Sequence, residues 1–261
     1  MAGSSKRVAL TVAGSDSGGG AGIQADLNVF RAFGVFGTSA ITCVTAQNPD
    51  RITAVQAIDA RIVSQQMECV LTAFQIGGAK TGMLYSAEIV ETVASVFRKH
   101  AFKSLVVDPV ITAGRGTPLL KKDALAALKT KLLPQAAVVT PNLAEAEILG
   151  QRKIRTFGEM RELARALAEK FGVPFLTKGG HLPRAKRAVD VLFDGKDFHE
   201  FSAGLVPNAG THGTGCTLSA AIAANLALGY SLVESVGRAK KFVTQAIRSA
   251  IRIGCHRALR I

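Results

Sequence analysis

The sequence predicts a mostly parallel α/β protein with an antiparallel hairpin at one edge of its sheet. Short β-branched runs alternate with longer segments of helical periodicity, which is the signature of βαβ units. One late segment, DVLFDGKDFHEF, instead places Asp194-Gly195 between two strand-like runs, as a two-residue hairpin turn would. A chain of 261 residues suits one large domain, and no linker, composition break or internal repeat divides residues 1–261. With 48% hydrophobic and 20% charged residues it buries a sizeable core and lacks the composition of a disordered chain.

Taken in order, Val8–Ala13 reads as a buried strand running into Gly14-Ser15-Asp16, and GSDSGGGAGIQAD joins it to a helix. Ser39–Ala46 is a second strand ending at Gln47-Asn48. A helix over Ala87–His100 leads to a strand at Ser104–Val107, which stops at Asp108-Pro109. A helix over Asp123–Leu133 precedes the strand Ala137–Val139, which stops at Thr140-Pro141-Asn142. Thr156-x-x-Glu159 is a capping box for a helix over Gly158–Phe171, followed by the strand Val173–Leu176 and by Thr177-Lys178-Gly179-Gly180. After the hairpin, TLSAAIAANLAL reads as a helix. Val233, Val236, Val243, Ile247 and Ile251 then recur at helical spacing, so the chain is expected to end in an amphipathic helix with a basic outer face.

Five strands thus deliver polar groups at their carboxyl ends, where open parallel sheets bind ligands. Turns need Asn, Asp, Gly and Pro, but have no use for Gln47 or Lys178. Gly20-Ala21-Gly22-Ile23-Gln24-Ala25 matches G-x-G-x-x-A, yet the second strand ends at Gln47 rather than at an acid, which argues against a dinucleotide site. No G-x-x-x-x-G-K-[ST] occurs either. In Thr211-His212-Gly213-Thr214-Gly215-Cys216 a glycine-rich turn aims backbone N–H groups and a helix N-terminus at one point, an anion site. Cys216 falls in that first turn, where the helix dipole is expected to lower its thiol pKa. The alternative is a small residue packed on the sheet. Asn142 and Glu145 read both as a capping box and, with Asp108, as the carboxylate side of a magnesium site. Lys178 completes a set of metal, base, cation and anion hole, which phosphoryl transfer requires. His181 and His212 read as loop hydrogen-bonding residues.

No uninterrupted apolar span is long enough for a membrane helix, and the N-terminus lacks a signal pattern, so the expected location is cytoplasmic. Cys43, Cys69, Cys216 and Cys255 form no CxxC pair and are read as single thiols. The balance of 32 basic against 19 acidic residues, net +13, invites nucleic acid, but the late basic residues lie on the outer face of the terminal helix and no Trp is present. Anionic small molecules profit from the same field.

GSDSGGGAGIQADL, VTAQN, KTGML, VVDPV, TPNLAEAEIL, TKGGH and THGTGCTLSAAIAA occur in the order seen in the hydroxymethylpyrimidine/phosphomethylpyrimidine kinases of thiamine biosynthesis, and from Arg7 to Lys241 the chain resembles that family of the ribokinase-like superfamily. The resemblance implies a three-layer α/β/α fold, two successive ATP- and Mg2+-dependent phosphorylations of a hydroxymethylpyrimidine, and a homodimer. It implies a pyrimidine hydrogen-bonded by Gln47 and lined by Gly14, Asp26, Met83 and Val110. It assigns phosphates and metal to Lys178, Asn142, Thr214, Asp108 and Glu145, and catalysis to Cys216 with Gly213, Thr214 and Gly215. The chain departs from the family pattern at Ile111-Thr112-Ala113-Gly114-Arg115-Gly116 and in its ending, IGCHRALRI. A pyridoxal or pyridoxine kinase of the same superfamily is the alternative. A basic nucleic-acid-binding protein on a degenerate kinase scaffold is the alternative from another class.

Overall fold

The computed structural model describes residues 7–112, 118–180, 182, 186–206 and 212–261. Its nine-stranded sheet has the order β3-β2-β1-β4-β5-β6-β7-β8-β9. The strands are β1 Val8–Asp16, β2 Phe36–Gln47, β3 Ile52–Ala57, β4 Ile76–Thr81, β5 Leu105–Val107, β6 Val138–Val139, β7 Phe175–Lys178, β8 Arg187–Phe193 and β9 Phe198–Gly204. From β2 to β7 neighbouring strands are parallel. The expected hairpin is β8–β9, in which β8 pairs antiparallel with β7 and β9 antiparallel with β8, turning at Gly195 with φ +102°. A second antiparallel strand, β3, closes the opposite edge. It was not expected, because ITAVQA is short and half-exposed and carries little periodic signal.

Helices cover both faces. Alternate residues of the central strands point to opposite sides, so each strand feeds two cores. Leu10, Ala79, Val107, Val139 and Phe175 pack under α2 (Ala60–Ala73), α3 (Ala87–Lys99), α4 (Ala124–Ala127), α5 (Leu143–Gly150) and α6 (Phe157–Phe171). Ala9, Val106, Val138 and Leu176 pack under α1 (Gly22–Ala32), α7 (Thr214–Ala227) and α8 (Leu232–Arg248). This is the three-layer α/β/α arrangement. The connection from β1 to β2 runs one way along the sheet and that from β3 to β4 the other, so the chain order reverses between β1 and β4. In such sheets the crevice for ligands opens at that point.

Two expected helices differ. The span Asp123–Leu133 is α-helical only over Ala124–Ala127 and continues as a π turn, Leu128–Leu132, which keeps Leu128, Leu132 and Leu133 buried. The terminal helix stops at Arg248. Ile251, grouped with it by spacing, instead lies exposed in a small hairpin, β10 (Ile251–Ile253) with β11 (His256–Ala258). No described helix is long and apolar enough to cross a membrane.

α7 lies directly on β4 because two glycines leave room for it. A Cβ on Gly78 would stand 2.2 Å from the Ala223 carbonyl oxygen, which cannot yield without moving the helix. Gly78→Ala is therefore expected to destabilise the protein by about 1–3 kcal/mol, the usual cost of overpacking. Gly158→Ala, in the first turn of α6 with open space around it, should instead stabilise by up to ~1 kcal/mol. Urea denaturation of the two variants checks both signs.

Candidate active site

Register and alternation explain which side chains meet at the carboxyl edge. Lys80 of β4 is level with Val106 and Val138, which face α7. Two residues further on, Asp108 and Thr140 face the same way, as Lys178 does beyond Leu176. Lys178 Nζ donates to Asp108 Oδ1 at 3.0 Å, and the Ser219 hydroxyl donates to Asp108 Oδ2 at 3.1 Å. Gly215 packs on this pair, since a Cβ there would lie 3.4 Å from Lys178 Nζ and 3.8 Å from Asp108 Oδ2. Burial works to discharge Lys178, but Asp108 and Glu145 more than reverse this and hold its pKa above the ordinary range.

Glu145 fulfils the capping-box reading in full. Its Oε2 accepts the Asn142 N–H at 2.9 Å, and the Asn142 side chain accepts the Glu145 N–H at 2.9 Å. Its Oε1 accepts the Ile111 N–H at 3.1 Å. That bond steadies Val110, a β-branched residue at φ +43°, a region such residues rarely adopt. Burial pushes the Glu145 carboxyl up to about 6, with Lys178 opposing and Asp108 adding to the rise.

Among helices of eight or more described residues, only α1 and α7 begin without a side-chain cap. Both open onto this edge. α7 starts at Gly213, whose φ of +79° lets it lie against the Gly20 carbonyl, where a Cβ would be 1.9 Å away. The Gly22 N–H at the start of α1 donates to the sulfur of Cys216, so the thiol lies between two helix N-termini. The expected lowering of its pKa is nevertheless overturned. Burial pushes the thiol up, and Asp26 and Asp108 add to this; Lys80 and the Gly22 N–H pull it down without compensating.

Asp26, expected on the pyrimidine wall, is wholly enclosed. Its oxygens accept Lys80 Nζ at 3.1 and 3.0 Å and the Thr11 hydroxyl at 2.6 Å. Burial works to discharge Lys80, and the carboxylate beside it holds the ammonium charged. Lys80 opens the KTGML motif but carried no role in the sequence reading, although it is the one charge in the apolar, glycine-rich run IGGAKT. Around the pyrimidine candidates, Gly14 is hemmed in by Cys43, whose sulfur would be 2.7 Å from a Cβ, and by Met83 at 3.6 Å. The Thr42 hydroxyl donates to the Met83 carbonyl at 2.6 Å. Half-buried Gln47 accepts the Thr45 hydroxyl at 3.2 Å through its side chain, and its backbone is tied to Ser17. His212 Nε2 lies 3.4 Å from Asp16 Oδ2, so it joins the two glycine-rich loops as a hydrogen-bonding residue. Thr211, His181 and the Gly114-Arg115-Gly116 turn lie outside the described residues.

No group of three His, Cys, Asp or Glu side chains among the described residues could hold a metal by itself. Among the described residues each oxygen of Asp108 and Glu145 accepts a protein hydrogen bond, and a carboxylate oxygen offers two lone pairs. Two such carboxylates fit Mg2+, which keeps several waters and needs only one or two protein carboxylates.

A family model described as phosphomethylpyrimidine kinase matches residues 16–259. The chain is 47% identical over 247 residues to a hydroxymethylpyrimidine/phosphomethylpyrimidine kinase of Rhizobium meliloti, covering 94% of this chain and 92% of that protein. A crystal structure of phosphomethylpyrimidine kinase from Clostridium difficile superposes with a TM-score of 0.83 at 40% identity, covering 93% of this chain and 100% of that one. An ADP complex of Bacillus subtilis pyridoxal kinase gives a TM-score of 0.88 at 35% identity, covering 96% and 95%.

The raised Glu145 pKa carries a stability signature. Because the folded protein holds this proton more tightly than the unfolded chain does, Glu145 contributes most below about pH 4.5, and the contribution is lost as pH rises through about 6. Across that window the loss is about 2 kcal/mol. Glu145→Gln removes this slope. Urea unfolding of both proteins at pH 4.5 and 6.5 measures it, and equal slopes would contradict the assignment.

Proposed function

The chain belongs to the phosphomethylpyrimidine kinase family, and from that premise we propose that it catalyses the ATP-dependent phosphorylation of 4-amino-5-hydroxymethyl-2-methylpyrimidine and then of its monophosphate, the diphosphate serving thiamine synthesis. The observation that carries this reading is the placement of Cys216 between two uncapped helix N-termini, beside the Lys178–Asp108 pair. The positive end of a helix dipole at its N-terminus is suited to phosphate oxygens. In the transfer, the hydroxymethyl oxygen bonds to the γ-phosphorus while the bond to the β-bridging oxygen breaks and ADP leaves. The hydroxyl proton passes to the Cys216 sulfur. Lys178, Thr214 and Asn142 serve the ATP phosphates, and the Gly213, Thr214 and Gly215 turn stabilises charge on the group in transit. Mg2+, when bound, neutralises triphosphate charge; Asp108 and Glu145 would hold it through its waters. Gln47, Gly14, Met83 and Val110 form the pyrimidine wall, with Asp26 behind them.

The assembly we propose is a homodimer, supported by the exposed Phe36, Val44, Ile62 and Phe74. Nucleic acid is not needed to explain the basic residues of the C-terminal segment. Lys240 is spent on Asp190 at 2.7 Å, and Arg238 on Asn225 and the Tyr230 ring.

A coupled ADP-release assay with hydroxymethylpyrimidine, its monophosphate and pyridoxal offered separately tests the reading. Turnover is expected with the first two, and turnover with pyridoxal alone would overturn it. Cys216→Ala should lose about 10²- to 10⁴-fold in rate, the usual share of a general base. Since burial favours the neutral thiol, the wild-type rate should climb with pH through and beyond the ordinary thiol range, and this climb should vanish in the alanine variant.

Gln47→Leu should leave polar groups of the pyrimidine unpaired, at a cost of about 1–3 kcal/mol in binding that substrate. Affinity for ATP should change little. Titration of each ligand separately checks the difference.

A further inference from the structure

We propose that Lys80 and Asp26 are positioning residues for the phosphoryl transfer, holding the first turn of α1 so that the Gly22 N–H stays on the sulfur of Cys216. The proposal rests on the role given to Cys216 above. Both side chains of the pair are 0% exposed, at 3.0 Å. An ion pair so enclosed adds little net stability, because desolvation offsets the attraction, and apolar residues of similar volume often pack there as well or better. Stability alone is thus a poor account of it, whereas its location is informative.

Asp26 follows Gly22 by four residues and so lies on the same face of α1, one turn below the donor. Three anchors meet on it, the two Lys80 bonds from β4 and the Thr11 bond from β1, and these strands flank the point where the chain order reverses. Lys80 Nζ reaches up to the level of the site, since a Cβ on Gly82 would lie 3.0 Å from it. The turn above is itself tightly set. The Ala21 N–H is held by Asp16 at 2.8 Å, and Gly22, at φ +58°, has the Gly14 carbonyl 2.4 Å from where a Cβ would stand. With no side-chain cap on α1, the pair beneath and Asp16 before it decide where the Gly22 N–H points.

The test uses Lys80→Met/Asp26→Leu, which replaces the whole pair, and Thr11→Val, which removes one anchor without changing charge. Three quantities are measured on the full chain: melting temperature, kcat, and the rate at which iodoacetamide alkylates Cys216, followed by peptide mapping. The double variant should melt close to the wild type, yet lose at least about tenfold in kcat, as misplaced catalytic groups do. Its Cys216 alkylation should slow by about threefold or more, because the thiolate loses its N–H donor together with the attraction of Lys80, which outweighs the repulsion of Asp26 lost with it. Thr11→Val should move both rates in the same direction by less. A folded double variant with wild-type kcat and alkylation would show the pair to be merely structural and overturn the proposal. Thr11→Val leaves both charges in place and so reads the N–H donor alone; unchanged or faster alkylation in it overturns the proposal whether or not the double variant folds. Alkylation needs no substrate, so absent turnover by the wild type would strike the proposed function and leave this inference to be decided by the thiol.

Discussion

Burying a charge is so costly that each one must find a partner, and this requirement organises the carboxyl edge of the sheet. Asp26, Lys80, Asp108 and Glu145 are all less than 5% exposed, and Lys178 is nearly enclosed beside them. Asp26 joins α1 to β4, Asp108 joins β5 to β7 through Lys178 and to α7 through Ser219, and Glu145 joins α5 to the turn after β5. Elements distant in sequence are thereby held in one arrangement. The same pairs leave charges of both signs close to where a phosphoryl group would pass, at no further cost of desolvation when a ligand arrives.

Helix ends supply the rest of the electrostatic design. Elsewhere the chain spends Asp59, Ser86, Asn142, Thr156 and Ser231 on capping its helices. At α1 and α7 it provides alanine and glycine instead, and the Gly22 N–H at the start of α1 serves Cys216. The close approach of the two glycine-rich loops, Gly20 against Gly213, is what allows both helix starts to converge. The convergence does not by itself ionise Cys216, because enclosure of the sulfur outweighs the donors around it.

Much of this was legible in the residues. The β-branched runs, the Thr156 and Asn142 capping boxes and the Asp194-Gly195 turn are local signals, and the structure forms each element where they point. Strand ends carrying Gln47 and Lys178 pointed to a ligand edge, because such side chains have no value in a turn. Less visible were β3 and β4. β3 is half-exposed and short, and the strand IGGAKT contains two glycines, present because α7 must lie close, which dilute its β signal. Ile251 continued the helical period of α8 but fell beyond its end at Arg248, since spacing alone does not say where backbone hydrogen bonds stop.

The sequence by itself determined the alternation of strands and helices, the polar strand ends, the glycine-rich turns and, through its motifs, the family. These depend on neighbours within one element or one turn, where periodicity, capping and backbone freedom act. Tertiary structure alone decided which charges pair. Thr11, Asp26 and Lys80 are separated by 15 and 54 residues, and their meeting depends on β1 and β4 becoming neighbours in the sheet. It also decided the state of the Cys216 thiol. A helix start pulls a thiol pKa down and burial pushes it up, and only the packed molecule sets how much water is left to weigh between them.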